Sequence, residues 1–171
     1  MEVVNVGVAA SSDSSDRQLA RRFVGALSTD ATVRLIVGGY WGLMRDVAEE
    51  ASVKGMTVVF ILPLGAPDHP PRRARFITVD TGLEFRARSV PLCRSSDVLV
   101  CLGGESGSII EAYMAYAMGK PVILLENTGH SSDRLVTFGD ALDMRGTAKI
   151  HRAPSPEDAA RMCLEAAGAS V

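Results

Sequence analysis

The sequence predicts a three-layer α/β fold in which a doubly wound parallel sheet is covered by helices on both faces. Two observations lead to this fold class. Valine-rich apolar runs recur along the chain, and they alternate with segments whose apolar residues repeat at helical spacing. Buried strands separated by amphipathic helices are typical of parallel sheets, because each crossover helix covers one face of the sheet. The chain has 171 residues, of which 47% are hydrophobic, so we expect one domain over residues 1–171.

The first half of the chain predicts three strands and two helices. The apolar run Val3–Ala10 predicts a buried first strand, and an apolar stripe in Arg17–Leu27 predicts the helix after it. Val33–Val37 predicts the second strand. The next helical stripe ends near a C-cap at Gly55, and Met56–Leu62 predicts the third strand.

A loop interrupts this alternation in the middle of the chain. Segment 63–75 contains four prolines and three arginines, which predicts an irregular loop. Phe76–Val79 predicts a short strand. Residues 84–96 predict a helix or turn that is interrupted by Pro91.

The last part of the chain resumes the alternation. Val98–Leu102 and Val122–Leu125 predict strands on either side of a helix at Ser108–Met118. Lys149–Arg152 predicts the last strand. Ser155 is the predicted N-cap of the last helix, because a proline and two acids follow it at positions that helix starts favour.

The loops that follow the strands are predicted to line one crevice. All strands of a parallel sheet point their carboxyl ends to one edge, and ligands bind at that edge. The loops predicted there are rich in Gly, Ser, Asn or Asp, and they are Ala9–Asp13, Gly38–Gly42, Gly103–Ser108 and Glu126–Asp133.

Two glycine turns in these loops predict a phosphate or nucleotide site. Each turn joins a predicted strand to a helix, where backbone N–H groups and the helix dipole favour an anion. Trp41, in the first turn, either stacks on a base or packs over the sheet edge. The candidate phosphate- and ligand-binding residues are Ser11, Gly38, Gly39, Gly42, Met44, Gly103, Gly104, Glu105, Ser106, Gly107 and Ser108.

Charged residues near the second turn are the candidates for chemistry. Glu111 is either an acid that faces the crevice or the end of an S-x-x-E capping box that begins at Ser108. A carboxylate at Glu105 would repel a phosphate, so a ribose hydroxyl, a cation or solvent are its alternative partners. Arg86, Arg88 and Arg94 are candidates to reach the crevice, and a solvated basic face is the alternative for each.

Composition excludes several classes of protein. The net charge of −2 lacks the basic excess of nucleic-acid-binding proteins. No apolar run reaches membrane-spanning length, and the start shows no signal-peptide pattern, so we expect a cytoplasmic protein without a membrane partner. The cysteines and histidines show no metal-ligand spacing, so we expect no metal and no required cofactor. His130 is a weaker candidate for ligand binding.

Both glycine motifs, GGYWGLM at 38–44 and GGESGSIIE at 103–111, resemble those of the Lonely Guy family. This family belongs to a Rossmann-like superfamily long mislabelled as lysine decarboxylases, and it carries GG-x-x-GLM and PGG-x-GT-x-x-E turns. The resemblance extends through RSVPLCRSSDVLV at 88–100 and GKPVILL at 119–125. It covers most of the chain, from Val3 to about Leu125.

This resemblance implies an enzyme that hydrolyses the N-glycosidic bond of a nucleoside 5′-monophosphate. Glu111 matches the family's catalytic glutamate, and Arg88 matches its partner arginine. The glycine turns would hold the phosphate. A carboxylate in this position can stabilise an oxocarbenium-like transition state or activate water. The resemblance also implies a homodimer, or a homotetramer built as a dimer of dimers.

The chain departs from the enzyme motif at Gly103, where the family has proline, and at Glu105, where it has glycine. Ser108 stands in place of the family's threonine. With these departures, the chain resembles a less studied branch of the superfamily. That branch is similar to the molybdenum-cofactor carrier proteins, which bind the phosphate of a pterin cofactor without turning it over. Two classes therefore stay open: a nucleotide hydrolase, and a carrier for a small phosphorylated ligand such as a nucleotide or molybdenum cofactor.

Overall fold

The strands of the described residues form one seven-stranded sheet, in which every neighbouring pair is parallel. The structure, a computed structural model, describes residues 3–27 and 32–168. The strands are β1 Val3–Ala9, β2 Thr32–Val37, β3 Thr57–Leu62, β4 Phe76–Asp80, β5 Val98–Cys101, β6 Val122–Leu125 and β7 Ile150–Ala153. Their order across the sheet is β4-β3-β2-β1-β5-β6-β7. The order reverses between β1 and β5, and sheets of this kind form their ligand crevice at such a switch point.

Helices cover both faces of the sheet, which confirms the predicted three-layer, doubly wound fold. They are α1 Arg17–Leu27, α2 Gly42–Val53, α3 Phe85–Ser95, α4 Ser106–Ala117, α5 Pro156–Ala166 and a 3₁₀ helix at Ser131–Phe138. One core forms between the sheet and α1, α2 and α5, and a second forms between the sheet and α3, α4 and the 3₁₀ helix. Within the described residues, no helix combines the length and the apolar character needed to cross a membrane.

The central strands contribute side chains to both cores. In β5, Val98 and Val100 join the first core, while Leu99 and Cys101 join the second. A strand buried on both faces is apolar at every position, and this continuous run is what made the strand predictable. Burial raises the pKa of the Cys101 thiol to about 11, so this cysteine is an inert core residue.

Two helix predictions near the crevice are wrong. The helix α4 begins at Ser106, two residues before the predicted start at Ser108, and Glu105 is its N-cap. Pro91 lies inside α3 and does not interrupt it. A proline inside a helix removes a hydrogen bond. Here α3 buries Leu92 next to the proline, and packing of this face holds the helix together.

The predicted start of the last helix is confirmed. Ser155 is the N-cap of α5, and its hydroxyl accepts a hydrogen bond from the backbone N–H of Asp158 at 3.1 Å. Pro156 is the first helical residue, where the missing N–H of proline has no consequence.

Ser155→Ala should lower the free energy of unfolding by about 1 kcal/mol, because it removes the acceptor for a helix N-terminal N–H group. Urea unfolding followed by circular dichroism measures the loss. Ser155→Asn is the matched control, since asparagine caps helices as well as serine does. Equal stability of the alanine and asparagine variants would contradict the capping role.

Candidate functional site

A crevice of about 560 Å³ lies at the carboxyl edge of the sheet. Loops after four strands line it: Ala10, Ser12 and Asp13 follow β1, Trp41 and Met44 follow β2, Pro67 follows β3, and residues 105–108 follow β5. The start of α3 contributes the fifth wall. Three of the four loops that the sequence places at this edge therefore line the crevice.

A buried ion pair between Arg88 and Glu111 lies at the crevice. Arg88 Nη1 donates to Glu111 Oε1 at 2.9 Å, and the two side chains are only 8% and 9% exposed. Ser89 Oγ donates to the same oxygen at 2.8 Å. Helices α3 and α4 pack against each other, and this packing joins residues 23 positions apart in the chain.

The capping-box interpretation of Glu111 is therefore wrong. A capping box needs Ser108 at the N-cap and Glu111 in the first turn. Because α4 begins earlier, with Glu105 as its N-cap, Glu111 lies in the body of the helix, and its hydrogen bonds go to α3.

Each side chain of this ion pair keeps a polar atom without a hydrogen-bond partner among the described residues. Both hydrogen bonds to Glu111 reach Oε1, and within the described chain none reaches Oε2. Burial raises the pKa of the Glu111 carboxyl, and the positive charge of Arg88 and the Ser89 hydroxyl offset part of that rise. Arg88 Nε is a buried donor without an acceptor among the described residues. Such a carboxyl can exchange a proton with a ligand or accept a hydrogen bond from it through Oε2.

The N-terminus of α4 forms one wall of the crevice. Ile109 N–H donates to the Glu105 carbonyl at 3.1 Å, which is the first hydrogen bond of the helix. The N–H groups of Ser106, Gly107 and Ser108 precede that bond, so they have no acceptor inside the helix. Together with the positive end of the helix dipole they favour an anion such as a phosphate.

The first two residues of this turn, Gly103 and Gly104, have packing roles. Gly103 has φ +104°, and a Cβ there would lie 2.7 Å from Thr128 Cβ. A Cβ on Gly104 would overlap Ser108 Oγ. The N–H of Gly104 donates to Ser132 Oγ at 3.0 Å, so it is not free for a ligand. Both positions require glycine because the chain segments meet too closely for a side chain.

Glu105 is held by the loop that follows β6. His130 Nδ1 lies 3.1 Å from Glu105 Oε1, and Ser131 Oγ donates to Glu105 Oε2. These contacts, with the Ser131 hydrogen bond as the larger cause, lower the pKa of the Glu105 carboxyl. His130 Nε2 lies 3.4 Å from Ser14 Oγ, so the histidine connects the loops after β1 and β6. The Glu105 carboxylate is therefore held ionised and fixed against the loop that follows β6.

The glycine turn after β2 supports two functional side chains. The guanidinium of Arg88 packs on Gly38, where a Cβ would overlap Nη1 and lie 2.6 Å from Cζ. The indole of Trp41 packs on Gly39 in the same way, with a Cβ lying 2.5 Å from ring atom Cζ2. These two glycines therefore shape the crevice through the residues that lie on them.

The remaining residues of this turn connect it to the loop after β1. Gly42 has φ +55°, and a Cβ there would collide with the backbone of Ser11 and Ser12. The N–H of Leu43 donates to the Ser11 carbonyl at 2.9 Å. Ser11 is buried and faces its own loop, while Met44 lines the crevice.

Some predictions from sequence place residues wrongly, and some site residues were missed. Arg94 is exposed in the last turn of α3 and does not line the crevice. The other two candidate arginines, Arg86 and Arg88, do line it, and Arg86 Nη2 lies 3.0 Å from Glu84 Oε2. Ser89 and Phe85 were missed because nothing local marks them. The only signal for Ser89 in the sequence is its position next to Arg88, which allows its hydroxyl to reach Glu111 as well.

A larger cleft of about 770 Å³ lies between α1 and α2. Most of its arginines are paired with carboxylates of the same cleft, as in the 3.0 Å bond from Arg73 Nη1 to Glu49 Oε2 and the 3.7 Å pair of Arg21 and Glu50. Arg45 Nη1 lies 3.5 Å from Asp68 Oδ2, just outside the cleft. Most of its charges therefore satisfy one another, and we assign the functional site to the smaller crevice. In the described part of the chain, no group of three or more His, Cys, Asp or Glu residues is arranged to hold a metal ion.

Comparison with known proteins identifies the family. A model described as the SLOG cluster4 family matches residues 2–160. The chain belongs to the SLOG cluster4 family. This membership supports the Rossmann-like superfamily that the glycine motifs predict, while the finer resemblance to the Lonely Guy branch stays a prediction.

Relatives of this SLOG cluster4 chain include proteins of known structure. An uncharacterised protein of Archaeoglobus fulgidus is 35% identical over 128 residues, which cover 74% of this chain and 82% of that protein. The X-ray structure of TM1055 is 34% identical with a TM-score of 0.81, covering 95% of this chain and 99% of that one.

A further solved structure shares the fold at lower identity. The molybdenum cofactor binding protein of Rippkaea orientalis has a TM-score of 0.76 at 24% identity, covering 96% of this chain and 98% of that one. At this identity the likeness shows the fold alone.

Proposed function

We propose that this SLOG cluster4 protein binds a small phosphorylated ligand in the crevice and acts as a carrier or binding protein, with molybdenum cofactor as the leading candidate. The observation that carries the proposal is the N-terminus of α4: residues 106–108 line the crevice, and their N–H groups have no acceptor inside the helix. These groups suit a phosphate. A ligand of this kind also needs room for a ring system, and the crevice of about 560 Å³ is in the usual range for small-molecule sites.

The charges around the crevice favour a small ligand over a nucleic acid. The lining contains two arginines, Arg86 and Arg88, and three carboxylates, Asp13, Glu105 and Glu111. Nucleic-acid sites depend on a surplus of positive charge along the phosphate backbone, and this lining has none. The protein of similar fold from Rippkaea orientalis is described as binding molybdenum cofactor, which supports the same class of ligand here.

A second candidate function is hydrolysis of the N-glycosidic bond of a nucleoside 5′-monophosphate. The observation that favours it is the buried Arg88–Glu111 pair, whose carboxyl oxygen Oε2 accepts no hydrogen bond from the described residues. Burial raises the pKa of Glu111, which suits a group that exchanges a proton during a reaction. In this scheme Glu111 stabilises the developing sugar cation or activates water, and Arg88 holds the carboxyl in place.

Two assays on the purified protein separate these functions. The protein is mixed with molybdenum cofactor released from a molybdoenzyme, and molybdenum is measured in the protein fraction after gel filtration. In parallel, AMP and GMP are incubated with the protein and with Glu111→Gln, and free base is measured by chromatography. Retained molybdenum without base release supports the carrier. Base release that Glu111→Gln abolishes supports the hydrolase. If the protein neither retains molybdenum nor releases base, both functions are overturned.

Gly107→Asp should weaken ligand binding about 10- to 100-fold, because it places a negative charge at the N-terminus of α4, beside the proposed phosphate. A Cβ at Gly107 meets no atom within 4 Å, so the side chain fits. The Kd of ribose 5-phosphate, measured by calorimetry, reports the effect. Gly107→Asn has the same shape without the charge and should bind nearly as well as the unchanged protein. Equal loss in both variants would mean that the bulk of the side chain and not its charge weakens binding, and no loss in either variant would mean that the phosphate lies elsewhere.

A further inference from the structure

One wall of the crevice is aromatic and partly exposed. The rings of Trp41 and Phe85 meet edge to face, with centroids 6.3 Å apart and an interplanar angle of 61°. Both residues line the crevice, together with Pro67 and Met44. Phe85 is 40% exposed although its side chain is large and apolar. Apolar area left open in a concave site, next to polar groups, is typical of a surface that a ligand covers.

The indole of Trp41 is fixed in place by the turn beneath it. Its six-membered ring lies against Gly39, which has no Cβ to push the ring away. Trp41 is also the N-cap residue of α2, and its backbone is therefore part of the helix start. A ring fixed in this way loses little conformational entropy when another ring stacks on it.

We propose that Trp41 and Phe85 form the subsite for a planar nitrogen heterocycle, so that the ligand is a phosphate monoester attached to a bicyclic ring of the purine or pterin kind. The inference rests on the proposed phosphate site at the N-terminus of α4. The phosphate end is held by backbone N–H groups, and the ring end is held by the aromatic wall. Stacking on an aromatic side chain strengthens binding of a base about 5- to 100-fold.

The tryptophan reports directly on this subsite, because the chain contains one tryptophan. GMP shares a pyrimidinone ring with pterins and serves as the probe. Titration with GMP should quench the fluorescence of Trp41. Ribose 5-phosphate should bind about 5- to 100-fold more weakly, measured by calorimetry, and should leave the fluorescence unchanged.

Two variants test the aromatic requirement. Trp41→Leu should bring the Kd of GMP close to that of ribose 5-phosphate, whose own Kd should not change. Trp41→Phe keeps a ring and should restore part of the difference. Circular dichroism with urea unfolding verifies that each variant is folded, and Phe85→Leu in the unchanged Trp41 background tests the second ring while fluorescence is still available.

The outcomes distinguish this inference from the proposed phosphate site. If ribose 5-phosphate and GMP bind equally tightly and neither quenches Trp41, the phosphate site stands and the aromatic subsite is wrong. If Trp41→Leu leaves the ratio of the two Kd values unchanged, the aromatic subsite is also wrong. If neither compound binds, the proposed function itself fails, and the aromatic subsite fails with it.

Discussion

Glu111→Ala should lower the free energy of unfolding by about 3–5 kcal/mol, because it leaves the guanidinium of Arg88 buried without its counter-charge. Arg88 and Glu111 are only 6% and 7% exposed as whole residues, so water solvates the guanidinium poorly once the carboxylate is removed. The substitution also removes the acceptor of Ser89 Oγ. An unsatisfied donor, Arg88 Nε, is already present at this pair, and the variant adds to that cost. Urea unfolding followed by circular dichroism measures the loss.

Two controls show that burial, and not ion pairing in general, causes this loss. Glu165→Ala removes one of the two carboxylate partners of Arg161, at a similar distance of 2.8 Å, but those side chains are 47% and 49% exposed, so stability should change little. Replacing both buried partners, as Arg88→Met with Glu111→Leu, should cost less than Glu111→Ala alone, because no charge is left unpaired. If the double variant lost as much as the two single variants together, the pair would not be coupled.

The neutral variant Glu111→Gln separates stability from function. It keeps the volume of the side chain and an oxygen that Ser89 can still reach, but it cannot ionise. If Glu111→Gln loses base release but still binds phosphate, the protein uses the Glu111 carboxyl in the reaction and not in binding.

The strands and most helices could be predicted from sequence because their signals are local. The run Val98–Cys101 is apolar at every position since both its faces are buried, and this needs no knowledge of neighbours. Ser155 followed by proline and two acids contains the whole capping signal within one turn. Parallel crossovers predict the order of the strands only in part. The fold class itself predicts that the functional site lies at the carboxyl edge of the sheet.

The site was harder to predict because its decisive contacts join distant segments. The pattern S-x-x-E around Glu111 fits a capping box as well as a buried ion pair, and only the packing of α3 on α4 distinguishes them. The partners of Glu105 lie 25 and 26 residues away in a loop that carries no strong motif. Gly38 was expected to make room for a ligand, and it makes room for Arg88 instead.

Gly38→Ala should lower the free energy of unfolding by about 2–4 kcal/mol, although it adds only one methyl group at the end of β2. The new Cβ would overlap Arg88 Nη1 and lie 2.6 Å from Cζ and 3.0 Å from Nη2. The end of an arginine side chain usually moves aside at little cost. Here it is buried and bonded to Glu111, so moving it breaks the ion pair and leaves both charges poorly satisfied. Urea unfolding by circular dichroism gives the loss.

The background in which Gly38→Ala is made decides whether this explanation is right. In a protein that already carries Arg88→Ala, the methyl group meets no guanidinium, so adding Gly38→Ala should cost almost nothing beyond the first variant. Gly25→Ala is the control for a glycine with free space: it lies exposed in α1, a Cβ there meets no atom within 4 Å, and alanine should stabilise the helix by about 0.5–1 kcal/mol. An equal cost of Gly38→Ala in both backgrounds would place the strain in the backbone of the turn, since only a clash with Arg88 can be relieved by removing that side chain.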